Sequence, residues 1–166
     1  RLSREKNLPC LAEAFRQIHA RRPDVGLGAV GEGPYQAEFE QSVQGRPVVF
    51  AGRQRGEALA RHYASADLFV FPTLADCLPI AVMEAMAAGL PVVAPGVGAL
   101  REEVEEGVNG LIVPPKDAGA IVSAVQSLLR DAPRRYAMSR ASRQLAEERF
   151  DAARNYGAIL RLMKNL

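Results

Sequence analysis

Two carboxylates, Asp76 and Glu84, lie eight residues apart in the most apolar part of the chain. From residue 78 to residue 90, every residue except Glu84 is apolar, glycine or proline. A carboxylate in such surroundings is costly unless other groups donate hydrogen bonds to it. Those donors could be protein groups or the hydroxyls of a bound ligand, so the pair indicates either a ligand site or a structural pairing.

The residues around the two acids predict a buried strand, a short loop that carries Asp76, and a helix that begins near Pro79 and carries Glu84. In an open α/β sheet, ligands bind beyond the carboxyl ends of the strands, where this loop would lie. The free N–H groups of the helix start would face the same mouth, which suits a ligand with phosphates and hydroxyls. Alternatively, Asp76 caps the helix and Glu84 pairs with an Arg or Lys of a neighbouring element. The residues alone favour neither interpretation.

Two further patterns near the amino terminus could bind a ligand. Arg1, Arg4 and Lys6 precede a helix that is predicted from Pro9, and cations beside a helix N-terminus form an anion site. Basic residues at a chain end are, however, usually just solvated. The segment Gly31-Glu-Gly33 ends a predicted strand, where glycine lets the backbone approach a ligand. A plain strand-to-helix turn explains that segment equally well.

Residues 26–31 match the dinucleotide-binding pattern G-x-G-x-x-G letter for letter. That mechanism requires the glycines to follow a strand and open a helix, with an acid about 20 residues later. Here the glycines lie inside a predicted strand, and Ala51 and Gly52 stand where the acid should be. We therefore reject a dinucleotide site and interpret the glycines as a close-packing feature.

The elements that would position these residues alternate between strand and helix, with short connections. This pattern predicts an α/β fold with a doubly wound, Rossmann-like parallel sheet and helices on both faces. Asp117 is a plausible N-cap for the helix that follows the last strand. Strands are predicted at 25–30, 48–50, 68–71, 92–94 and 110–113, and helices at 9–22, 35–43, 57–66, from 79, 100–106, from 117, 133–149 and 152–164.

Composition narrows the function. A chain of 166 residues with 48% apolar content is large enough for one domain with a real core. Its net charge of +2 is too small to indicate a nucleic-acid partner. Its two cysteines fit neither a metal site nor a disulfide framework, which favours a reducing compartment. We expect no signal peptide and no membrane-spanning segment. We also expect that the first strand of the fold is truncated, because none precedes Arg1.

Seven blocks of sequence occur in order along the whole chain: 1–8 (RLSREKNL), 30–34 (VGEGP), 49–52 (VFAG), 63–72 (YASADLFVFP), 84–93 (EAMAAGLPVV), 107–115 (GVNGLIVPP) and 147–150 (EERF). In these blocks the chain resembles the C-terminal, donor-binding domain of GT-B glycosyltransferases, in the large retaining family 4 of the glycosyl transferases group 1 type. The family has an acid, seven residues and then a glutamate, and Asp76 and Glu84 occupy those positions.

The resemblance implies a role for each candidate side chain. Glu84 would bind the ribose hydroxyls of a nucleotide sugar, and Asp76 would contact hydroxyls of the transferred sugar. Arg1 and Lys6 would bind the donor diphosphate. Arg53 begins the loop where the base would lie.

The resemblance also implies backbone contacts to the donor. Gly31 and Gly33 match a turn of the family at which the backbone comes close to the donor. Backbone N–H groups from Leu78, Pro79 and Ile80 onward would assist the cations, although Pro79 has no N–H to donate. The chain departs from the family pattern where Asp76 replaces the usual glutamate, and this departure concerns the donor sugar more than the reaction class.

The implied reaction is metal-independent transfer of a sugar from a UDP- or GDP-sugar to an acceptor, with retention of configuration and without a cofactor. It would serve polysaccharide, glycolipid or other glycoconjugate synthesis in the cytoplasm, with peripheral association of the whole enzyme at the inner membrane face. Residues 1–150 would form the donor-binding domain. Residues 151–166 would form a helix that crosses back to an N-terminal domain, which holds the acceptor site, so residues 1–166 alone would be inactive.

Two other function classes remain. One is a non-catalytic nucleotide-sugar binding module that reuses the fold, since fold does not dictate function. The other is a different GT-B member, either a sugar-nucleotide epimerase or a phosphorylase with a pyridoxal-bearing lysine. The sequence blocks disfavour this second class.

Overall fold

The computed structural model describes residues 1–164, without the side chains of residues 158, 159 and 164. Within this range, five strands alternate with helices, and a short 3-10 turn precedes the first helix. The strands are β1 (Leu27–Ala29), β2 (Val48–Phe50), β3 (Phe69–Val70), β4 (Val92–Pro95) and β5 (Gly110–Val113). The 3-10 turn is Arg4–Lys6, and the α-helices are α1 (Leu8–Arg21), α2 (Gln36–Ser42), α3 (Gly56–Ala64), α4 (Ile80–Ala87), α5 (Leu100–Glu103), α6 (Ala118–Arg130), α7 (Ala132–Phe150) and α8 (Ala152–Lys164).

All the strand pairs are parallel, which confirms the predicted doubly wound α/β fold. β1 pairs with β2, and β4 lies between β3 and β5. The sheet therefore has two separate parts, one with the strand order β2-β1 and one with the strand order β3-β4-β5. A mainly apolar cavity of about 700 Å³ lies between β1 and β3, lined by Gly28, Val30, Leu68 and Val70 among others.

Helices cover both faces of the three-stranded part of the sheet. Successive residues of β4 point to opposite faces, so Val93 packs into one core cluster and Val92 into another. The first cluster contains residues of α1 and α6, and the second contains residues of α4 and α7. A third cluster joins Leu8 and Phe15 of α1 to β1 and to Phe39 of α2.

The predicted elements match the structure to within a few residues, except that α5 ends at Glu103 rather than near residue 106. The buried side chain of Asn109 explains the early end, because it accepts a hydrogen bond from the N–H of Glu105 at 2.7 Å and donates one to the carbonyl of Glu103 at 3.0 Å. The predicted cap of α6 is confirmed, since Asp117 accepts a hydrogen bond from the N–H of Ala120 at 2.8 Å.

The glycines at residues 26–31 lie in and around β1, which confirms that they do not open a helix. The close-packing interpretation is wrong for Gly28, because a Cβ there would meet no atom within 4 Å. It suits Gly26 better, where a Cβ would lie 3.4 Å from the carbonyl oxygen of Pro47. We also find that no helix within residues 1–164 combines the length and the apolar character needed to cross a membrane.

Candidate functional site

A second cavity, of about 600 Å³, lies beyond the carboxyl ends of β1 and β3. This is the edge of an α/β sheet where ligands are expected. Of the ten residues to which the resemblance gives a role, nine line this cavity and Gly33 does not; Arg4, the other cation of the amino-terminal set, does not line it either. The nine are Arg1, Lys6, Gly31, Arg53, Asp76, Leu78, Pro79, Ile80 and Glu84.

Lys6 and Asp76 form an ion pair at one side of the cavity. The Lys6 Nζ lies 2.6 Å from Asp76 Oδ2, and the two side chains are 19% and 16% exposed. The same ammonium lies 4.8 Å from the centroid of the Phe71 ring, which adds a cation–π contact. These contacts hold a positive charge against the cavity wall in a half-buried position.

The 3-10 turn that carries Lys6 is tied to the loop after β3. The carbonyl of Glu5 accepts hydrogen bonds from the N–H of Leu74 at 2.7 Å and from the hydroxyl of Thr73 at 3.0 Å. Because Thr73 is fully buried, water does not compete for its hydrogen bond. The turn and the Asp76 loop are therefore held together before any ligand arrives.

The helix-cap interpretation of Asp76 is wrong. Its Oδ1 accepts a hydrogen bond from the N–H of Leu78 at 3.2 Å, but α4 begins only at Ile80. Asp76 therefore stabilises the loop and not the first turn of the helix. The loop before α5 also packs on Asp76, since a Cβ on Gly98 would lie 2.3 Å from the Asp76 carbonyl oxygen.

Glu84 lies on α4, and its carboxylate meets a tyrosine of α3. The Tyr63 hydroxyl lies 3.0 Å from Glu84 Oε2 and also 3.3 Å from the carbonyl oxygen of Ala81. No Lys or Arg within the described part of the chain forms an ion pair with Glu84. The expected pairing with a basic residue is therefore wrong, and a neutral donor takes its place.

An aromatic wall joins the two sides of the cavity. The rings of Tyr63 and Phe69 meet edge to face at 5.8 Å, and Phe69 stacks on Phe71 at 5.8 Å. Phe71 in turn faces the ammonium of Lys6. Helical periodicity indicates that Tyr63 faces inward, but the hydroxyl contact to Glu84 depends on how α3 and α4 pack, so sequence reasoning missed it.

The start of α4 offers fewer free donors than the sequence predicts. The N–H of Leu78 donates to Asp76, and the N–H of Ile80 donates to the carbonyl of Leu78 at 2.9 Å. Pro79, the N-cap of α4, has no N–H. The side chains of Leu78 and Ile80 are instead 61% and 57% exposed at the cavity rim.

Of the two candidate glycines, Gly31 lines the cavity with a positive φ of 126°, which favours glycine. Gly33 serves another purpose, because a Cβ there would lie 2.1 Å from the carbonyl oxygen of Leu2. The backbone N–H of Leu2 donates to the carbonyl of Glu32 at 2.9 Å, so Gly33 admits the amino-terminal segment and not a ligand. Arg53 is exposed, and its N–H donates to Glu32 Oε1 at 3.3 Å.

A third acid near the site, Glu103, was not among the candidates. It is only 5% exposed, and its Oε2 has no hydrogen-bond partner within the residues that the structure describes. Burial, together with the charges of Asp76 and Glu102, raises the pKa of Glu103 to about 7. Sequence alone does not reveal this group, since Glu103 lies in an acidic stretch that is typical of a solvated helix.

Three comparisons show what the chain is similar to. The family described as "Glycosyl transferases group 1" matches residues 1–131. The chain is 34% identical over 151 residues to sulfoquinovosyl transferase SQD2 of Arabidopsis thaliana, covering 89% of this chain and 29% of that protein. It is 35% identical over 142 residues to a GDP-mannose-dependent alpha-mannosyltransferase of Corynebacterium glutamicum, covering 86% of this chain and 33% of that protein.

Among solved structures, Anabaena Alr3699/HepE in complex with UDP-glucose superposes with a TM-score of 0.89 and 26% identity, covering 100% of this chain and 47% of that one. The chain thus spans about a third of the length of these curated relatives and about half of the solved chain.

Proposed function

The chain belongs to the glycosyl transferases group 1 family, with the fold of the C-terminal half of GT-B enzymes, and from this premise we propose that it is the donor-binding half of a glycosyltransferase. The whole enzyme would move a sugar from a nucleotide-diphosphate sugar to an acceptor, with retention of configuration. One observation carries the proposal: Glu84, a carboxylate with no ionic partner among the described side chains, lines the same cavity as the Lys6–Asp76 pair.

Lys6 and Arg1 would bind the diphosphate of the donor. An ammonium has three N–H donors, so Lys6 keeps donors for phosphate oxygens beyond its contact with Asp76. As the bond to the sugar breaks, negative charge develops on the diphosphate, and fixed cations at that place lower the barrier. This chemistry needs no acid–base residue from this half of the enzyme.

Glu84 would bind the ribose hydroxyls. A carboxylate can accept about four hydrogen bonds, and Tyr63 takes one of these positions. The remaining lone pairs suit two neighbouring hydroxyls, both of which are donors. Arg53 and its loop would lie beside the base, and Asp76 would accept from hydroxyls of the transferred sugar.

The comparisons support a nucleotide-diphosphate donor. HepE was solved with UDP-glucose, and the Corynebacterium relative is named for GDP-mannose. Since the chain spans about a third of its curated relatives, we propose that the acceptor site and the remaining catalytic groups belong to another domain. The exposed apolar side chains of α8, Tyr156, Leu160, Leu162 and Met163, would suit contact with it.

Calorimetric titration of UDP and GDP into the chain tests the proposal. We expect one of the two to bind and Glu84→Ala to abolish binding, whereas Glu57→Ala, a change on the exposed side of α3, leaves it intact. Lys6→Ala should weaken UDP binding at least tenfold and leave the binding of uridine unchanged, because uridine has no phosphate. Binding of neither nucleotide, or equal binding by the Glu84→Ala variant, would contradict the proposal.

A non-catalytic nucleotide-sugar module is the second candidate. The engaged N–H groups of Leu78 and Ile80 favour it, because fewer donors remain to stabilise a departing diphosphate. Under our proposal, residues 1–166 bind the nucleotide without turnover, and the whole enzyme transfers sugar. A full-length protein that binds the donor but transfers no sugar to any acceptor would favour the module, and transfer by residues 1–166 alone would contradict the division of roles.

A further inference from the structure

Tyr63 contacts the candidate ribose ligand but has no role in the function proposed above. We propose that Tyr63 is a positioning residue whose hydroxyl holds Glu84, so that the free part of the carboxylate faces the ribose hydroxyls of the nucleotide. The inference rests on the proposed function, and it adds a residue of α3 to candidate ligands that otherwise lie in the amino-terminal segment, in loops and on α4.

The contacts of the Tyr63 hydroxyl tie it to α4 at two points. It lies 3.0 Å from Glu84 Oε2 and 3.3 Å from the carbonyl oxygen of Ala81, one helical turn earlier. A glutamate side chain has several rotatable bonds, and holding it in one rotamer costs conformational entropy. Since Glu84 forms no ion pair within residues 1–164, the hydroxyl of Tyr63 is the side-chain contact that selects its rotamer.

The tyrosine is itself held in place. Its ring meets Phe69 of β3 at an angle of 67° between the ring planes, and Phe69 stacks on Phe71 at an angle of 20°. Phe71 faces the ammonium of Lys6. One continuous set of contacts therefore runs from the candidate ribose ligand, Glu84, to the candidate diphosphate ligand, Lys6.

The hydroxyl is also held in its donor form. Burial, and then the negative charge of Glu84, raise the pKa of Tyr63 above its ordinary value. The phenol therefore stays protonated throughout the neutral range and donates to the carboxylate. A hydrogen bond to an ionised acceptor is about twice as strong as one between neutral groups, so its loss should be measurable in nucleotide binding.

The test uses Tyr63→Phe, which removes one oxygen atom and keeps the ring. Titration with UDP and with 2′,3′-dideoxy-UDP measures how much the ribose hydroxyls contribute to the affinity. If the chain binds GDP, then GDP and its dideoxy analogue are used instead of the two uridine nucleotides. We expect Tyr63→Phe to lower the affinity for UDP about tenfold and to leave that for the dideoxy analogue unchanged. Tyr136→Phe, on an exposed tyrosine, is the matched control and should alter neither.

A second variant, Phe69→Leu, keeps the Tyr63 hydroxyl and removes the ring that anchors it. Its loss of affinity for UDP should be smaller than that of Tyr63→Phe. An equal loss of affinity for UDP and for its dideoxy analogue in Tyr63→Phe would overturn the inference, and so would unchanged UDP binding by Tyr63→Phe when Glu84→Ala abolishes it. If the unmodified chain binds neither UDP nor GDP, the proposed function fails and this inference fails with it.

Discussion

At the scale of single residues, Asp76 and Glu84 differ in their protein partners. Asp76 is neutralised by Lys6 at 2.6 Å, and its other oxygen accepts from the N–H of Leu78. Among the side chains that the structure describes, the hydrogen-bond partner of the Glu84 carboxylate is the neutral hydroxyl of Tyr63. Asp76 is therefore held by an ion pair and a backbone hydrogen bond, whereas the carboxylate oxygens of Glu84 keep free lone pairs for a ligand. This difference favours Glu84 as the stronger contributor to nucleotide affinity.

The buried carboxyl of Glu103 should make stability depend on pH. Its pKa is raised from 4.5 to about 7, so between these values the folded chain holds a proton that the unfolded chain has released. Stability should therefore fall as the pH rises from about 4.5 to about 7. Glu103→Gln, which mimics the protonated form, should remove this fall and raise the free energy of unfolding at pH 8 by roughly 1–3 kcal/mol.

Urea denaturation at a series of pH values measures this effect. Glu38→Gln is the control, since Glu38 is an exposed acid on α2 that does not contribute to the raised pKa of Glu103, so this variant should keep the pH dependence. Parallel curves for Glu103→Gln and the unmodified chain would show that Glu103 titrates normally.

Sequence patterns located residues that line one cavity, but not the protein groups that these residues contact. Asp76 and Glu84 stand out because polar residues are rare in an apolar stretch, and Lys6 and Arg1 stand out through the family blocks. The contacts of Tyr63 and the burial of Glu103 depend on which helices pack together. Local sequence carries no signal for such contacts, so the helix cap and the basic partner that it suggested for the two acids were both wrong.

At the scale of elements, strand ends and helix starts were predicted to within a few residues, because glycines and prolines lie at these boundaries. The start of α4 is the exception that affects function. Its position was nearly correct, yet the N–H groups expected to be free are used by Asp76 and by the carbonyl of Leu78. The pattern predicts where a helix begins, but the hydrogen bonds of the preceding loop decide which donors remain.

The pairing of β4 with β5 depends on Gly110. A Cβ there would lie 2.2 Å from the carbonyl oxygen of Val92 and 2.8 Å from a methyl group of Val104. We expect Gly110→Ala to lower the free energy of unfolding by more than about 3 kcal/mol, because the backbones of both strands would have to separate. Chemical denaturation measures the change.

Gly28→Ala, in β1, is the matched control for a glycine in a strand. A Cβ at Gly28 would meet no atom within 4 Å, so its effect should stay within about 1 kcal/mol. Similar stabilities of the two variants would contradict the close approach of β5 to β4.

At the scale of the whole molecule, the alternation of strands and helices in the sequence predicted the fold class. It did not predict that the sheet is divided into two parts. The division leaves two cavities of similar size, one between β1 and β3 and one beyond their carboxyl ends. Volume alone does not distinguish a ligand site. Charged residues line both cavities, but the half-buried Lys6–Asp76 pair and Glu84 line the second, whereas Arg46 and the exposed Asp67 line the first.

Amide NMR mapping of nucleotide binding tests the central claim most directly, and a chain of 18.0 kDa suits it. Upon titration with UDP or GDP, we predict shifts that cluster at Gly31, Arg53 and Glu84, around the cavity beyond the strand ends. Glu84→Ala should remove them. Shifts that instead cluster at Gly28 and Val49, beside the cavity between β1 and β3, would contradict the account.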